Sequence, residues 1–278
     1  MAAIQLQWVR AQISRLVREA DDPRGLYHDL TDLFEQCANW SYRPSEAVPP
    51  RTRLASYHLP AALLDELEIG LRPLAASNGE AILLLADLLW QSPYLEPRVL
   101  AADLLGALPL DFEPEVLRRL DDWARPGEDR EAVTLLLERG TARIVEEDPA
   151  GWLEHVSVAL ESKDGARQSL ALRGLVPLVR SSRNELLPRV FNLLTDLVRR
   201  PAPILAKEIQ LVLRELATVT PTETAVFLRQ QLLLSNDLLL RRLVRPLLPL
   251  FGEPLRSDLR QLTLSAKPAT NELPSSDR

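Results

Sequence analysis

Between Pro203 and Gln231 the chain spells out two helices and the joint between them. Leu205, Ile209, Val212, Leu213 and Leu216 recur at helical spacing and form one apolar stripe. Lys207, Arg214 and Glu215 fall on other sides of the same helix. The joint is Thr220-Pro221-Thr222-Glu223. Its spelling predicts Thr220 as N-cap, Pro221 in the first helical position and Glu223 reaching back to close a capping box. Val226, Phe227, Leu228 and Leu232 then mark the second helix. An antiparallel helix pair of this kind must bury its apolar face against a neighbour, so one pair constrains the rest of the chain to supply more of them.

The chain does supply them. Segments resembling a second helix start near Pro97, Asp129, Gly165, Pro203 and Leu238, at intervals of 32, 36, 38 and 35 residues. Two helices at this period mean a helical repeat array. Tetratricopeptide repeats share the length, but their Trp and Gly-Tyr positions are missing. Irregular spacing and short second helices bearing Arg or Lys point to HEAT-like repeats. The expected fold is all-α, a right-handed α-α superhelix over residues 1–262. The polar, aperiodic stretch SAKPATNELPSSDR would follow as a disordered tail within 263–278.

Upstream, Ile4 to Ala20 reads as an amphipathic helix with Ile4, Trp8, Ile13, Leu16 and Val17 inward. Helices are also expected at Tyr27–Trp40, Leu59–Leu74 and Gly79–Gln91, with a Pro-marked loop at Ser41–Arg53. There are 22 prolines, and most stand where helices begin or between them, as at Pro93, Pro149, Pro201 and Pro221. Glycine occurs only 10 times, which suits helices.

Cys37 is the one cysteine, which excludes an intrachain disulfide and a multi-Cys metal site. His28, His58 and His155 share no metal-ligand spacing, and no Gly-rich phosphate loop is present. No cofactor is called for. The richest apolar run, Ala81–Trp90, is too short to cross a bilayer and contains Asp87. With no secretory apolar core at the start, a cytoplasmic monomer without a membrane role is the expectation.

Charge is divided unevenly. Residues 1–150 carry 15 Lys+Arg against 26 Asp+Glu, whereas residues 151–260 carry 16 against 11. The C-terminal half is therefore the part suited to phosphate.

Two stretches resemble a known family. LADLLWQSPYLEPRVLAADLL, Leu85–Leu105, is similar to the helix-turn-helix in bacterial DNA alkylation repair glycosylases built from HEAT-like repeats. The set Lys207, Ile209, Leu213, Arg214 and Glu215, followed by Pro221 and Val226-Phe227-Leu228, resembles their C-terminal signature. The likeness covers about residues 25–260. It implies excision of cationic alkylated purines from duplex DNA, with aromatic rings around the lesion, a carboxylate and a basic residue at the backbone. Aromatic faces attract a cation, and a carboxylate stabilises positive charge developing on the sugar.

This chain departs from that pattern. The resemblance places the first aromatic on Arg130, the carboxylate on Thr134 and the C-terminal tryptophan on Leu211, and keeps the backbone arginine as Arg167. A shift of one turn would bring Asp129 or Glu131 to the carboxylate position. An arginine repels the cationic lesion and a threonine supplies no charge, so the usual chemistry is expected to be lost. Any activity retained would be that of a DNA glycosylase.

Other clusters read as structure. Asp121-Asp122-Trp123 suits the polar end of a helix whose Trp packs on the next repeat. Asp148-Pro149 suits a helix start. Trp8, Trp40, Trp90 and Trp152 are expected in the core. The cations Arg167, Arg173, Lys207, Arg214, Arg241, Arg242 and Arg245 lie in successive second helices, and stacking should bring them to a common face. Such a ladder suits the backbone of duplex DNA. Solvated charge, with Glu208 and Glu215 as intrahelical partners, is the plain alternative for the ladder. The alternative for the whole chain is a protein-interaction scaffold whose acidic N-terminal half or basic C-terminal half holds a partner.

Overall fold

A computed structural model describes residues 6–18, 22–42, 52–181 and 184–264. Among them there is no β-strand, only one isolated bridge between Ala55 and Tyr94. The expected tail and most of the loop at Ser41–Arg53 lie outside the described residues. The chain forms two compact units, 1–154 and 155–278.

In the first unit the helices are α1 (Leu6–Arg18), α2 (Pro23–Cys37), α3 (Ala61–Ser77), α4 (Gly79–Trp90), α5 (Leu95–Gly106), α6 (Glu113–Trp123), α7 (Arg130–Gly140) and the short α8 (Ala142–Glu147). They fall into two rows. One row stacks α1 on α3, α3 on α5 and α5 on α7. The other sets α2 on α4. From there α6 is joined to α4 by a paired Arg119–Asp87 contact and by Trp123 stacked on Trp90. α5 sits at the centre, against α3, α4 and α7, and every residue from Val99 to Gly106 is buried. Its sequence is apolar on all sides, as a helix surrounded by others must be. At Gly106 a Cβ would lie 1.9 Å from the Arg139 carbonyl oxygen, so glycine lets α5 and α7 approach backbone to backbone.

The boundary between the units falls within α9 (Pro149–Leu160). The second unit continues with α10 (Gly165–Arg180), α11 (Leu187–Arg199), α12 (Ala206–Val219), α13 (Pro221–Leu234), α14 (Leu238–Val244) and α15 (Leu255–Leu264). Here α12 packs between α10 and α14, and α13 packs between α11 and α15. The five segments anticipated as second helices are thus α5, α7, α10, α12 and α14, and in each unit they occupy one row.

Helix starts follow the local chemistry. Asp22, Asn78, Asp129, Asp164 and Asp237 cap α2, α4, α7, α10 and α14 through their side chains. Asp148 caps α9 by accepting from Gly151 N at 3.0 Å. The expected cap at Thr220 is not formed. Its hydroxyl donates back to the Leu216 carbonyl oxygen at 3.2 Å, and no side chain caps α13. Thr220 directly follows α12, whose last carbonyls compete for the same hydroxyl.

The expected tryptophan core is half correct. Trp90 and Trp152 are buried, but Trp8 and Trp40 are exposed, Trp40 by 65%. Trp40 lies beyond the end of α2 and meets Tyr57 edge-on.

Candidate nucleic-acid interface

α12 presents three faces, and each has a separate task. Ile209, Val212, Leu213 and Leu216 are buried. Opposite them run Ile204, Lys207, Leu211 and Arg214, spaced three, four and three residues apart, which places them on one narrow stripe. Lys207 and Arg214 are exposed, Leu211 is half-buried, and Ile204, in the 3-10 turn before the helix, is 72% exposed. Glu208 and Glu215 share the side facing α10. There Arg180 donates to both carboxylate oxygens of Glu215, at 2.9 and 3.0 Å. Glu215 is therefore tied to the neighbouring helix.

Arg167 stands exposed in the first turn of α10. Two residues earlier, Gly165 lies against Ile204, whose Cγ2 is 3.5 Å from the position of an added Cβ. The start of α10 and the stripe on α12 are therefore neighbours. Arg173 is half-buried, and Arg242 and Arg245 are exposed. Arg245 also donates to the Thr263 carbonyl oxygen at 3.1 Å.

Arg241 departs from the expected ladder. It is 6% exposed, its guanidinium reaches Asn236 Oδ1 at 3.5 Å, and its Nε is buried with no partner. Helix α14 is short, and the face carrying Arg241 turns inward with Leu240 and Val244. Its neighbour Arg242 takes the outward position.

The positions equated with the glycosylase chemistry are distributed as follows. Arg130 begins α7 and is exposed, and Thr134 Oγ donates within the helix to the Arg130 carbonyl oxygen at 2.8 Å. Arg167 and Leu211 lie on α10 and α12. Of the carboxylates one turn away, Asp129 is buried and occupied. It accepts from Ala132 N at 3.0 Å and from Arg53 N at 2.7 Å. Burial pushes its carboxyl up, but hydrogen bonds from Ala132, Arg53, Thr52 and Glu131 outweigh burial and hold it below the usual range. A carboxylate so committed serves the helix cap. Glu131 is half-buried beside it.

Trp123 does have a structural partner, but on the preceding α4. Its ring stacks on Trp90 at 4.8 Å and 8°, and Arg98 lies over Trp90 at 5.2 Å. Asp122 pairs with Arg118 and Arg125. Among the described residues no group of His, Cys, Asp or Glu is placed to hold a metal.

One assembly had no signal in the periodicity. Buried Glu96, in the first turn of α5, accepts from Ser56 Oγ at 2.6 Å, from Tyr57 N at 3.1 Å and from Leu59 N at 3.4 Å. It pins an irregular segment on which Tyr57 stacks against Tyr94 at 4.0 Å. Burial is the main cause that pushes the Tyr57 hydroxyl up to about 12. Trp40 and Tyr42 lean on Tyr57 and His58 from outside. These contacts join residues remote in the chain, and the aromatic residues at 40–42, 57–58 and 94 would have been the only sequence hint.

No described helix is long and apolar enough to cross a membrane. Comparisons with curated proteins and with solved structures return no match. A family model described as DNA alkylation repair enzyme matches residues 71–245, a narrower span than the resemblance first suggested. The matched span runs from α3 to Arg245 and includes Arg130, Thr134, Arg167, Lys207, Leu211 and Arg214. Covering more than half of the sequence, it shows that this chain belongs to the DNA alkylation repair enzyme family.

Proposed function

We propose that this chain binds the backbone of nucleic acid on the exposed row of α10, α12 and α14, and that it lacks the family's usual alkylpurine excision. The reading includes HEAT-like, right-handed stacking of the helix pairs within each unit. The observation that carries it is the stripe on α12. Lys207 and Arg214 are exposed, and Glu215 is held by Arg180 on the neighbouring helix. Arg167 lies beside the start of that stripe, and Arg242 on α14 and Arg245 directly after it add exposed cations. Cations one helix apart are separated by roughly 10 Å, which suits separate phosphates better than one small anion.

The catalytic half of the proposal rests on residue type. Thr134 has no charge to offer, and Leu211 has no ring for a cation. Asp129 is already saturated by hydrogen bonds.

A protein partner is the second reading, and Ile204 favours it. An aliphatic residue this exposed between cations suits an acidic, partly apolar peptide. Fluorescence anisotropy with a short duplex, at several salt concentrations, separates the two. Backbone binding should weaken steeply with salt and be lost in the Arg167→Glu, Lys207→Glu double variant. Absence of binding at low salt would rule out the nucleic-acid reading. Methylated duplex DNA incubated with the protein should release alkylpurine only at the spontaneous rate.

A further inference from the structure

The second unit carries a groove on its other row of helices. It runs between α11 and α13, holds about 940 Å³ and is lined by residues of those helices and of the turn before α13. Its floor is apolar. Phe191 and Phe227 meet there at 5.0 Å, tilted by 39°, and Val226 beside them is 56% exposed.

One end of the groove is cationic by construction. Gln231 is 2% exposed, yet its Oε1 accepts from Arg199 Nε at 3.2 Å. A buried amide on α13 thus fixes a guanidinium on α11. Among the described residues Arg199 has one acidic partner, the solvated Asp196 at 3.9 Å, which is too distant and too wet to saturate it. The terminal nitrogens remain available as donors. The other end carries Glu223, eight residues before Gln231 on α13 and so about 12 Å away along the helix. Between the ends the remaining polar lining, such as Asn192, Thr195 and Gln230, is neutral.

An apolar floor with a fixed cation at one end and a carboxylate at the other selects its ligand. We propose that the α11–α13 groove binds a small organic monoanion with an aromatic or medium-chain apolar body, its acid group on Arg199 and its body on Phe191, Val226 and Phe227. Glu223 disfavours a second negative charge at the far end, so a dianion of the same length is rejected. This site is independent of the cations on α12 and of any nucleic-acid role.

The test uses the full chain and the fluorescent monoanion anilinonaphthalene sulfonate, with decanoate and decanedioate as competitors. The expected result is saturable binding at one site, displaced by decanoate and at least about tenfold less well by decanedioate. Arg199→Gln should weaken the dye about tenfold or more, as loss of a charged hydrogen bond does. Val226→Trp should block it by filling the groove. Val226 is exposed, so this variant is expected to fold, and an unchanged circular dichroism spectrum would verify that. Absence of saturable binding, or binding unchanged in both variants, overturns the proposal. Equal displacement by decanoate and decanedioate overturns the role assigned to Glu223.

Discussion

Arg180 on α10 holds both carboxylate oxygens of Glu215 on α12. The same device recurs at three other contacts within the rows. Arg10 holds Glu66 between α1 and α3, Arg139 holds Asp103 between α5 and α7, and Arg229 holds Asp258 between α13 and α15. These four arginines are thus committed to joining one helix of a row to the next. Only arginines outside these pairs are available to a ligand.

Arg180→Met should therefore cost stability and leave the exposed stripe intact. The pair is partly solvated, which limits the loss to about 1 kcal/mol. A double-mutant cycle with Glu215→Gln, followed by urea unfolding, measures it. A coupling energy near zero would show that the contact is incidental.

Asp103 makes the stability of the first unit depend on pH. Burial raises its carboxyl to about 6, against the opposing attraction of Arg139, and Glu68 and Asp65 add to the rise. The folded state then holds the proton more tightly than the unfolded state does. This contribution is fully present below about pH 4 and is lost as pH rises through 6. The span of about two pKa units corresponds to at most about 3 kcal/mol. Asp103→Asn should flatten the dependence between pH 4 and 7, as read by denaturant midpoints.

Gly106→Ala should be among the most damaging single substitutions in the chain. The new Cβ would meet backbone at 1.9 Å, so α5 and α7 would have to separate. A loss of about 3 kcal/mol or more is expected from overpacking. Gly127→Ala is the control. Its φ is +93° and nothing lies near, so only the backbone strain of about 1 kcal/mol applies. Melting temperatures of the two variants should fall in that order.

Arg241→Met tests whether the cationic ladder includes this position. A buried guanidinium with an unsatisfied Nε is costly, and a thioether of similar length removes that cost. Stability should be unchanged or higher, and salt-dependent nucleic-acid affinity should stay within about twofold of the parent protein. A steep loss of affinity would return Arg241 to the binding surface.

Helices and their row order were legible because apolar periodicity and capping are local. The stripe from Leu205 to Leu216 and the cap at Asp148 are written within a few residues of where they act. Family membership was legible as well, in the stretch Leu85–Leu105 and the signature from Lys207 to Leu228, both inside the matched span. The fate of each charge was not. Arg241 and Arg242 are adjacent and chemically identical, yet packing of a short helix turns one inward and leaves the other in water. Thr220 carries a capping signature, but the end of α12 takes its hydroxyl first. Glu215 looks like an intrahelical partner until α10 arrives with Arg180. The sequence by itself determined an all-helical chain of paired helices, because burial of an apolar stripe is strong and repeats at a fixed period. Tertiary structure decided which polar groups remain at the surface, because a hydrogen bond or ion pair depends on a few tenths of an ångström between residues remote in the chain.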